Sequence, residues 1–369
     1  MTTARKMDSL APHPRTVSQL VGHEGAEQLL LQAVASGRLP HAWLLTGLPG
    51  IGKATLAYRF ARFLLAREGG KEGLLLETAF PETLDLSPDH PVARRVAAAG
   101  HPDLFVLERS PREDGRLPRD IDVDSVRQLN SFLHMTSAEG GRRVAIVDSA
   151  DELNANGANA LLKLLEEPPP QAVLLLVSHA PGRLLPTLRS RCRQLRLTPL
   201  EDGELSHLLR QHLPEADPDQ LALLARLAEG SIGRGLVLAA EGGVDLYREL
   251  LELLSAMPRL ETAKAHSFAE ALARDPRGQR LRAAGDLLLW WIARLVEAGA
   301  LKQLPQEVIE GEGEVMQRLL KVRPLAEWLA LWENLGRLFG QAERASLDRK
   351  QVMLTALNRL AGASPVVAV

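Results

Sequence analysis

The stretch HAWLLTGLPGIGKATLAYRF, residues 41–60, decides the fold of this chain. An apolar run, AWLLT, leads into a glycine-rich turn, and a helical pattern follows the turn. The turn has the spacing G-x-x-x-x-G-K, formed by Gly47, Gly52 and Lys53. Backbone N–H groups in such a turn, the N-terminus of the next helix and the lysine together bind the phosphates of a nucleotide. The stretch therefore predicts a phosphate-binding loop between a strand and a helix.

The groups needed to hydrolyse a nucleotide are incomplete. Ala54 stands directly after the lysine, where a Ser or Thr hydroxyl would bind magnesium, and Thr55 points about 100° further round the helix. The apolar run VAIVD ends at Asp148, the acidic residue expected to meet magnesium, but Ser149 follows it where a Glu would polarise water. We interpret Glu152 as a solvated residue at a helix start. These residues predict weak ATP binding, poorly held magnesium and little hydrolysis.

The composition indicates a soluble, cytoplasmic protein of several domains. A length of 369 residues favours two or three domains, and 46% hydrophobic residues suffice for their cores. A net charge of −2 argues against a protein that coats nucleic acid. Cys192 is the single cysteine, which excludes a disulfide framework and a cysteine-rich zinc site. The N-terminus has no export signal, and the apolar run 287–296 is too short to span a membrane.

Hydrophobic patterning divides the chain into an α/β part and an all-α part. Up to residue 200, apolar runs typical of buried parallel strands alternate with helical patterns; beyond it, helix follows helix. Strands are predicted over 42–46, 104–107, 144–148 and 173–178, and helices over 24–36, 53–67, 122–133 and 154–167. Residues 69–100 look like an irregular insertion, and 110–120 like a polar loop. One helix face is predicted to be core, through Leu325, Trp328, Leu329, Trp332, Leu335 and Phe339.

Several stretches together resemble one family. LVGHEGAEQLLLQAVASGRLPHAWLLTGLPGIGKATLAYRFARFLL, HPDLFVLE, NANGANALLKLLEEPP and LPTLRSRC are similar to the delta-prime subunits of the bacterial DNA polymerase III clamp loader, within the AAA+ superfamily. The likeness is dense over residues 20–200 and continues weakly to ASLDRKQ, residues 345–351. It implies an AAA+ P-loop parallel-sheet domain over 1–200, a small helical lid over 201–243 and a helical collar over 244–369. The collar would join subunits into a five-membered ring.

The resemblance also implies a function and partners. Delta-prime subunits are non-motor, stator-like components that contact delta on one side and a gamma or tau motor on the other. The ring loads the sliding clamp onto primed DNA, so this chain would be neither a polymerase nor an efficient ATPase. The residues 190–192, SRC, match the family's trans-acting arginine motif, and Arg191 would reach the ATP of the adjacent motor. The alternative is that Arg191 pairs with a carboxylate in its own domain.

The chain departs from the pattern of this family at two places. Some relatives carry a four-cysteine zinc module after the first helix, which residues 69–100 lack; His90 and His101 do not replace it. Gly233 stands where motor subunits have a nucleotide-sensing arginine, and Arg234 comes one residue late, so we do not transfer that role. His179 lies either where relatives sense the γ-phosphate or simply in a loop. We expect Cys192 to be buried and inert.

The sequence thus predicts a degenerate nucleotide site that holds no metal ion. Its members are Gly47, Gly50, Gly52, Lys53, Thr55 and Asp148. A working motor subunit of the gamma/tau type, or a stand-alone P-loop ATPase, would need a substitute magnesium ligand and a substitute base. A small-molecule P-loop kinase would need an acceptor site in a lid. Arginines over 183–196 make one basic stretch, from which we expect at most phosphate contacts with DNA.

Overall fold

The computed structural model describes residues 12–68, 81–109, 118, 120–345 and 347–362. The chain divides into two compact units. The sheet unit comprises Met1–Leu208 and Gly230–Arg234, and the helical unit comprises Leu209–Glu229 and Gly235–Val369. The three-domain division with boundaries near 200 and 243 stays a prediction. No described helix has the length and apolar character that crossing a membrane requires.

The sheet unit is built on a parallel sheet. Its strands are β1 Ala42–Thr46, β2 Leu104–Leu107, β3 Arg143–Asp148, β4 Ala172–Ser178 and β5 Arg193–Arg196, in the spatial order β2-β3-β4-β1-β5. In register, Leu45 of β1 lies opposite Val177 of β4 and Leu195 of β5. The four predicted strands are confirmed. The fifth was missed because only Leu195 of its four residues is buried, so this edge strand has no apolar run.

Helices cover both faces of the sheet. In the sheet unit they are α1 Glu24–Ala35, α2 Lys53–Glu68, α3 Pro91–Ala97, α4 Val123–His134, α5 Ala155–Glu166 and α6 Pro186–Arg191. Successive side chains of a strand point to opposite faces. Trp43 and Leu45 accordingly pack in one core with Phe60 of α2, while Leu44 packs in the other with Leu161 of α5. The α/β interpretation of this part of the chain is confirmed.

The segment after α2 is more regular than the sequence suggested. Residues 69–80 and most of the polar loop 110–120 lie outside the described residues. The remainder of the presumed insertion contains α3, whose first turn is capped by the His90 imidazole. Asp85 binds the buried guanidinium of Arg59 at 2.7 Å, and Glu27 of α1 binds the same group at 2.7 Å. This arginine therefore ties the segment to α1 and α2.

The rest of the chain is helical, as predicted. The helices are α7 Asp202–His212, α8 Pro218–Ala228, α9 Ile232–Ala240, α10 Gly243–Ala256, α11 Thr262–Ala273, α12 Gln279–Leu301, α13 Glu312–Val322, α14 Leu325–Ala345 and α15 Arg349–Ala361. A buried polar network joins three of them. Glu312 of α13, 1% exposed, accepts hydrogen bonds from Tyr247 Oη of α10 at 2.5 Å and from Arg294 of α12 at 2.6 Å. The carboxylate is therefore fully engaged within the helical unit.

The predicted core face of α14 is partly wrong. Trp328 and Leu335 are buried, and Leu331 is buried with them. Leu329 and Trp332, which were predicted to lie in the core, are 47% and 38% exposed. The buried stripe of α14 follows positions 328, 331 and 335, about a third of a turn away from positions 329 and 332.

Candidate functional site

The phosphate-binding loop connects β1 to α2, as predicted. Its three glycines have φ angles of 146°, 74° and 105° at Gly47, Gly50 and Gly52, a backbone region that side chains disfavour. Space is also limiting. A Cβ atom at Gly47 would lie 2.7 Å from the carbonyl oxygen of Leu197, and one at Gly52 would lie 2.8 Å from the side chain of Leu20. Both positions therefore need glycine, and the loop has the shape that its motif predicts.

The lysine of this loop binds the loop itself. Lys53 is 2% exposed, and its Nζ donates to the carbonyl oxygens of Gly47 at 2.8 Å and Leu48 at 2.5 Å. Burial lowers the pKa of the ammonium group to about 8, although Asp148 and Asp151 nearby act in the opposite direction. The cation that would contact a nucleotide phosphate is thus already hydrogen-bonded within the chain.

The next carbonyl groups of the loop have donors from distant segments. Ser231 Oγ donates to the carbonyl of residue 49 at 2.8 Å, and the Gly233 N–H donates to that of residue 50 at 3.1 Å. His23 Nε2 lies 2.6 Å from the carbonyl oxygen of residue 51. Because a carbonyl only accepts, Nε2 carries the proton. Every carbonyl from residue 47 to 51 therefore accepts a hydrogen bond from the sheet unit.

Ser231 and His23 were not identified from the sequence as part of this site. Gly233 was recognised only because it occupies the place of a sensing arginine, and its backbone N–H is what contacts the loop. The Arg234 N–H donates to Ser231 Oγ at 3.1 Å, so it orients the hydroxyl that contacts the loop. Two short stretches could have pointed to these residues: GHE at 22–24, which is part of the family resemblance, and the Gly-Ser pair at 230–231.

The end of β3 shows why the site is incomplete. Asp148 lies at the carboxyl end of the strand, and Ser149 Oγ is 3.4 Å from its carboxylate. Ala54 is the second residue of α2 and has no oxygen in its side chain, while Thr55 is half-buried in the same turn. The residues present do not form a complete site for a magnesium nucleotide. Whether Gly47 to Lys53, Thr55 and Asp148 hold ATP weakly stays a prediction.

A carboxylate that the sequence analysis overlooked lies beside the lysine. Asp151 accepts a hydrogen bond from the backbone N–H of His179 at 2.9 Å. Burial, followed by the charge of Lys53, lowers the pKa of His179 to about 4, so the imidazole is neutral at pH 7. His179 is thus close enough to Lys53 to be influenced by its charge, and both interpretations of His179, a γ-phosphate sensor or a loop residue, stay predictions.

The interpretation of Glu152 as a solvated residue is wrong. Its carboxylate forms an ion pair with Arg109 at 2.5 Å, and the two side chains are 16% and 11% exposed. Its backbone N–H also donates to the Ser149 carbonyl at 3.0 Å, which closes a short 3₁₀ turn. A paired carboxylate in this position is a poor replacement for the missing base.

Arg191 ends α6 at the surface of the sheet unit. Its Nη2 is 2.7 Å from Glu166 Oε1, and its Nη1 donates to the Thr187 carbonyl at 3.2 Å. The alternative predicted for this arginine, a carboxylate partner in its own domain, is therefore present in the isolated chain. The next residue, Cys192, is buried as predicted, and burial raises the pKa of its thiol to about 12.

The sheet order, the P-loop between β1 and α2 and the acidic end of β3 define a P-loop protein of the AAA+ class. A family model described as "DNA polymerase III, delta subunit" matches residues 22–201. The delta' subunit of DNA polymerase III from Escherichia coli is 35% identical over 263 residues, which cover 70% of this chain and 72% of that subunit. The chain belongs to the family of DNA polymerase III delta' subunits.

Two further relatives share parts of the chain. The delta' subunit from Pseudomonas aeruginosa is 41% identical over 192 residues, covering 52% of this chain and 53% of that subunit. The DNA polymerase III subunit tau from Escherichia coli is 30% identical over 296 residues, covering 77% of this chain and 42% of that subunit. The chain spans about half the length of these two relatives.

Proposed function

We propose that this chain is a non-motor, stator-like subunit of the DNA polymerase III clamp loader. It assembles in the cytoplasm with delta and with gamma or tau into a five-subunit ring that loads the sliding clamp onto primed DNA. Membership of the delta' family supports this assignment. Any ATP in its own site is weakly bound, and the chain contributes to hydrolysis only at a neighbour's site.

The observation that carries the non-motor proposal is the state of the P-loop. Lys53 is bonded to two loop carbonyls, and the next three carbonyls are bonded to other donors of the sheet unit. The magnesium-binding hydroxyl is replaced by Ala54, and the base after Asp148 is replaced by Ser149. Electrostatic stabilisation of a transferring phosphoryl group needs a free lysine and a held metal ion. Ala54 cannot supply the ligand that holds the metal ion, and Lys53 reaches a phosphate only by exchanging its bonds to the two loop carbonyls.

The second part of the proposal concerns Arg191. Its side chain is 37% exposed and is held at the end of α6, so it is accessible to a nucleotide on an adjacent subunit. A planar guanidinium offers several donors to the charge that develops on a transferring phosphoryl group. We therefore assign Arg191 as the arginine supplied in trans to the ATP site of a neighbouring gamma or tau subunit.

The test is ATP turnover in a reconstituted ring. Wild-type or Arg191→Ala protein is mixed with delta and with motor subunits whose own equivalent arginine has been changed to alanine, so that this chain supplies the remaining one. Trans-acting arginines raise kcat by about 10³–10⁵. We expect Arg191→Ala to lower kcat at the facing site by about tenfold or more, a threshold set below the lower end of that range. Arg193→Ala, a neighbouring exposed arginine in β5, is the matched control.

Two results would overturn the proposal separately. Equal turnover of rings with wild-type and Arg191→Ala protein, with assembly confirmed by size-exclusion chromatography, removes the role of Arg191. Brisk hydrolysis by the purified chain alone shows a working motor, the rival function that the similarity to tau favours. We expect the chain alone to be indistinguishable from its Lys53→Met variant in this assay.

A further inference from the structure

The contacts of Arg191 single out one further residue. Glu166, the last residue of α5, places Oε1 2.7 Å from Arg191 Nη2. The backbone carbonyl of Thr187 accepts from Nη1 at 3.2 Å. Two different nitrogens of the guanidinium are therefore held from two sides, and the plane of the group is defined by protein contacts before any partner is bound.

The elements that carry this pair are fixed relative to each other. Leu164 and Leu165 of α5 lie in the same buried core as Leu188 of α6 and Cys192. The C-terminal end of α5 is braced further by His41, whose Nε2 is 3.1 Å from the Leu165 carbonyl oxygen. The position of the Glu166 backbone is thus set by packing, so its carboxylate can define where the guanidinium lies.

The guanidinium keeps donors for a phosphate. It has five N–H groups, and the two contacts to Glu166 and Thr187 use one each. Within the described part of the chain, three N–H groups are left for another acceptor, and the Arg191 side chain is 37% exposed. An approaching phosphate can therefore be bound while the carboxylate contact persists. Arg191 is the last residue of a six-residue helix, so without that contact its long side chain would sample many rotamers.

We infer that Glu166 is a positioning residue for Arg191: it holds the guanidinium in the orientation in which the remaining donors face the neighbour's nucleotide. This inference rests on the proposed trans role of Arg191. Glu166 touches neither nucleotide nor reacting atoms and acts only through the arginine. Because the two side chains are 43% and 37% exposed, the pair contributes little to folding stability, so its effect on turnover is separable from an effect on the fold.

The experiment compares Glu166→Ala, Arg191→Ala and the double variant in the ring in which only this chain supplies the arginine. Exposed ion pairs correspond to about a 1.5- to 5-fold change in an equilibrium or rate. We expect Glu166→Ala to lower kcat about 2- to 5-fold with KM for ATP unchanged, because an orienting contact acts in the transition state. Glu166→Gln, which keeps an acceptor oxygen, should recover part of the loss. Glu167→Ala, its exposed neighbour, should match wild type.

The double variant distinguishes positioning from a structural role. If Glu166 acts through Arg191, adding Glu166→Ala to Arg191→Ala changes nothing further. Unchanged or raised kcat for Glu166→Ala, or a loss that is equal in the two backgrounds, overturns the inference while the trans role of Arg191 stands. A silent Arg191→Ala variant instead overturns the proposed function, and with it this inference.

Discussion

The buried lysine of the P-loop gives the sharpest prediction that needs no partner protein. Lys53 is held by the carbonyls of Gly47 and Leu48 and is 2% exposed, and burial lowers its pKa from 10.5 to about 8. We predict that wild-type protein gains stability relative to Lys53→Met when the pH rises from 7 to 9.5. The reason is that the ammonium group is charged at pH 7 in an environment that disfavours its charge.

The magnitude follows from the two pKa values. The folded value lies below the unfolded value, so the unfolded chain binds more protons between them, and the stability contributed by this group rises with pH. At about 1.4 kcal/mol per pKa unit, the charged form is disfavoured by about 3 kcal/mol at pH 7. The expected gain between pH 7 and 9.5 is about 2 kcal/mol in the free energy of unfolding.

Only the difference between the two proteins is diagnostic. Burial raises the pKa of Cys192 and Tyr247. A group with a raised folded-state pKa of this kind makes the free energy of unfolding fall as the pH rises through alkaline values. These contributions are present in both proteins and cancel. The methionine variant also loses two hydrogen bonds, which shifts its stability by an amount that does not depend on pH. The slope against pH therefore isolates the charge of Lys53.

The single thiol of the chain provides the assay. Cys192 is buried in the sheet unit, so a short pulse of a thiol reagent after equilibration in urea labels only molecules in which that unit has unfolded. Midpoints and slopes at each pH give the free energies. Lys163→Met, an exposed lysine of α5, is the control and should show no such slope. A difference between wild type and Lys53→Met that stays within about 0.5 kcal/mol from pH 7 to 9.5 would refute the argument.

Three further outcomes are expected. Glu312→Gln should lower the stability of the helical unit by about 3 kcal/mol, because Arg294 loses its counter-ion and Tyr247 loses its charged acceptor. Exposed Glu310→Gln should change it by less than about 0.5 kcal/mol, with both variants measured by urea unfolding followed by tryptophan fluorescence. Ser231→Ala should lower the stability of the sheet unit by about 1–2 kcal/mol in the thiol assay, since a loop carbonyl loses its donor. Native protein at pH 8 should react slowly with the thiol reagent, because the pKa of Cys192 is about 12; rapid labelling would contradict its burial.

Local sequence patterns predicted the elements that are buried on both sides. The central residues of β1, β3 and β4 are apolar, because helices cover both faces of the sheet. In the edge strand β5 a single buried residue, Leu195, stands among three exposed polar residues, so no apolar run marks the strand. In α14 the apolar residues fill two adjacent stripes, and the sequence contains no information on which stripe neighbouring helices cover. Such choices are made by tertiary packing.

The candidate site was predictable only where its chemistry is local. The glycines and Lys53 follow from one motif, and the absence of a hydroxyl at Ala54 is visible in the same stretch. The donors to the last three loop carbonyls come from residues 23, 231 and 233, far away along the chain, and their short motifs do not show that they reach the loop. For Arg191 the sequence offered two partners, and it could not show that Glu166 lies within 2.7 Å.

The contacts of the P-loop also explain why its shape persists without its chemistry. Gly47 packs against the backbone of Leu197, which follows β5, and β5 begins two residues after Arg191. β1, which leads into the loop, pairs with β5 along its length. A bulkier or differently shaped loop would therefore shift the strand next to the arginine. Arg191 must keep a fixed geometry to reach a neighbour's nucleotide under the proposed function. The loop then has to keep its shape because it supports that strand, and this support needs neither a magnesium ligand nor a catalytic base.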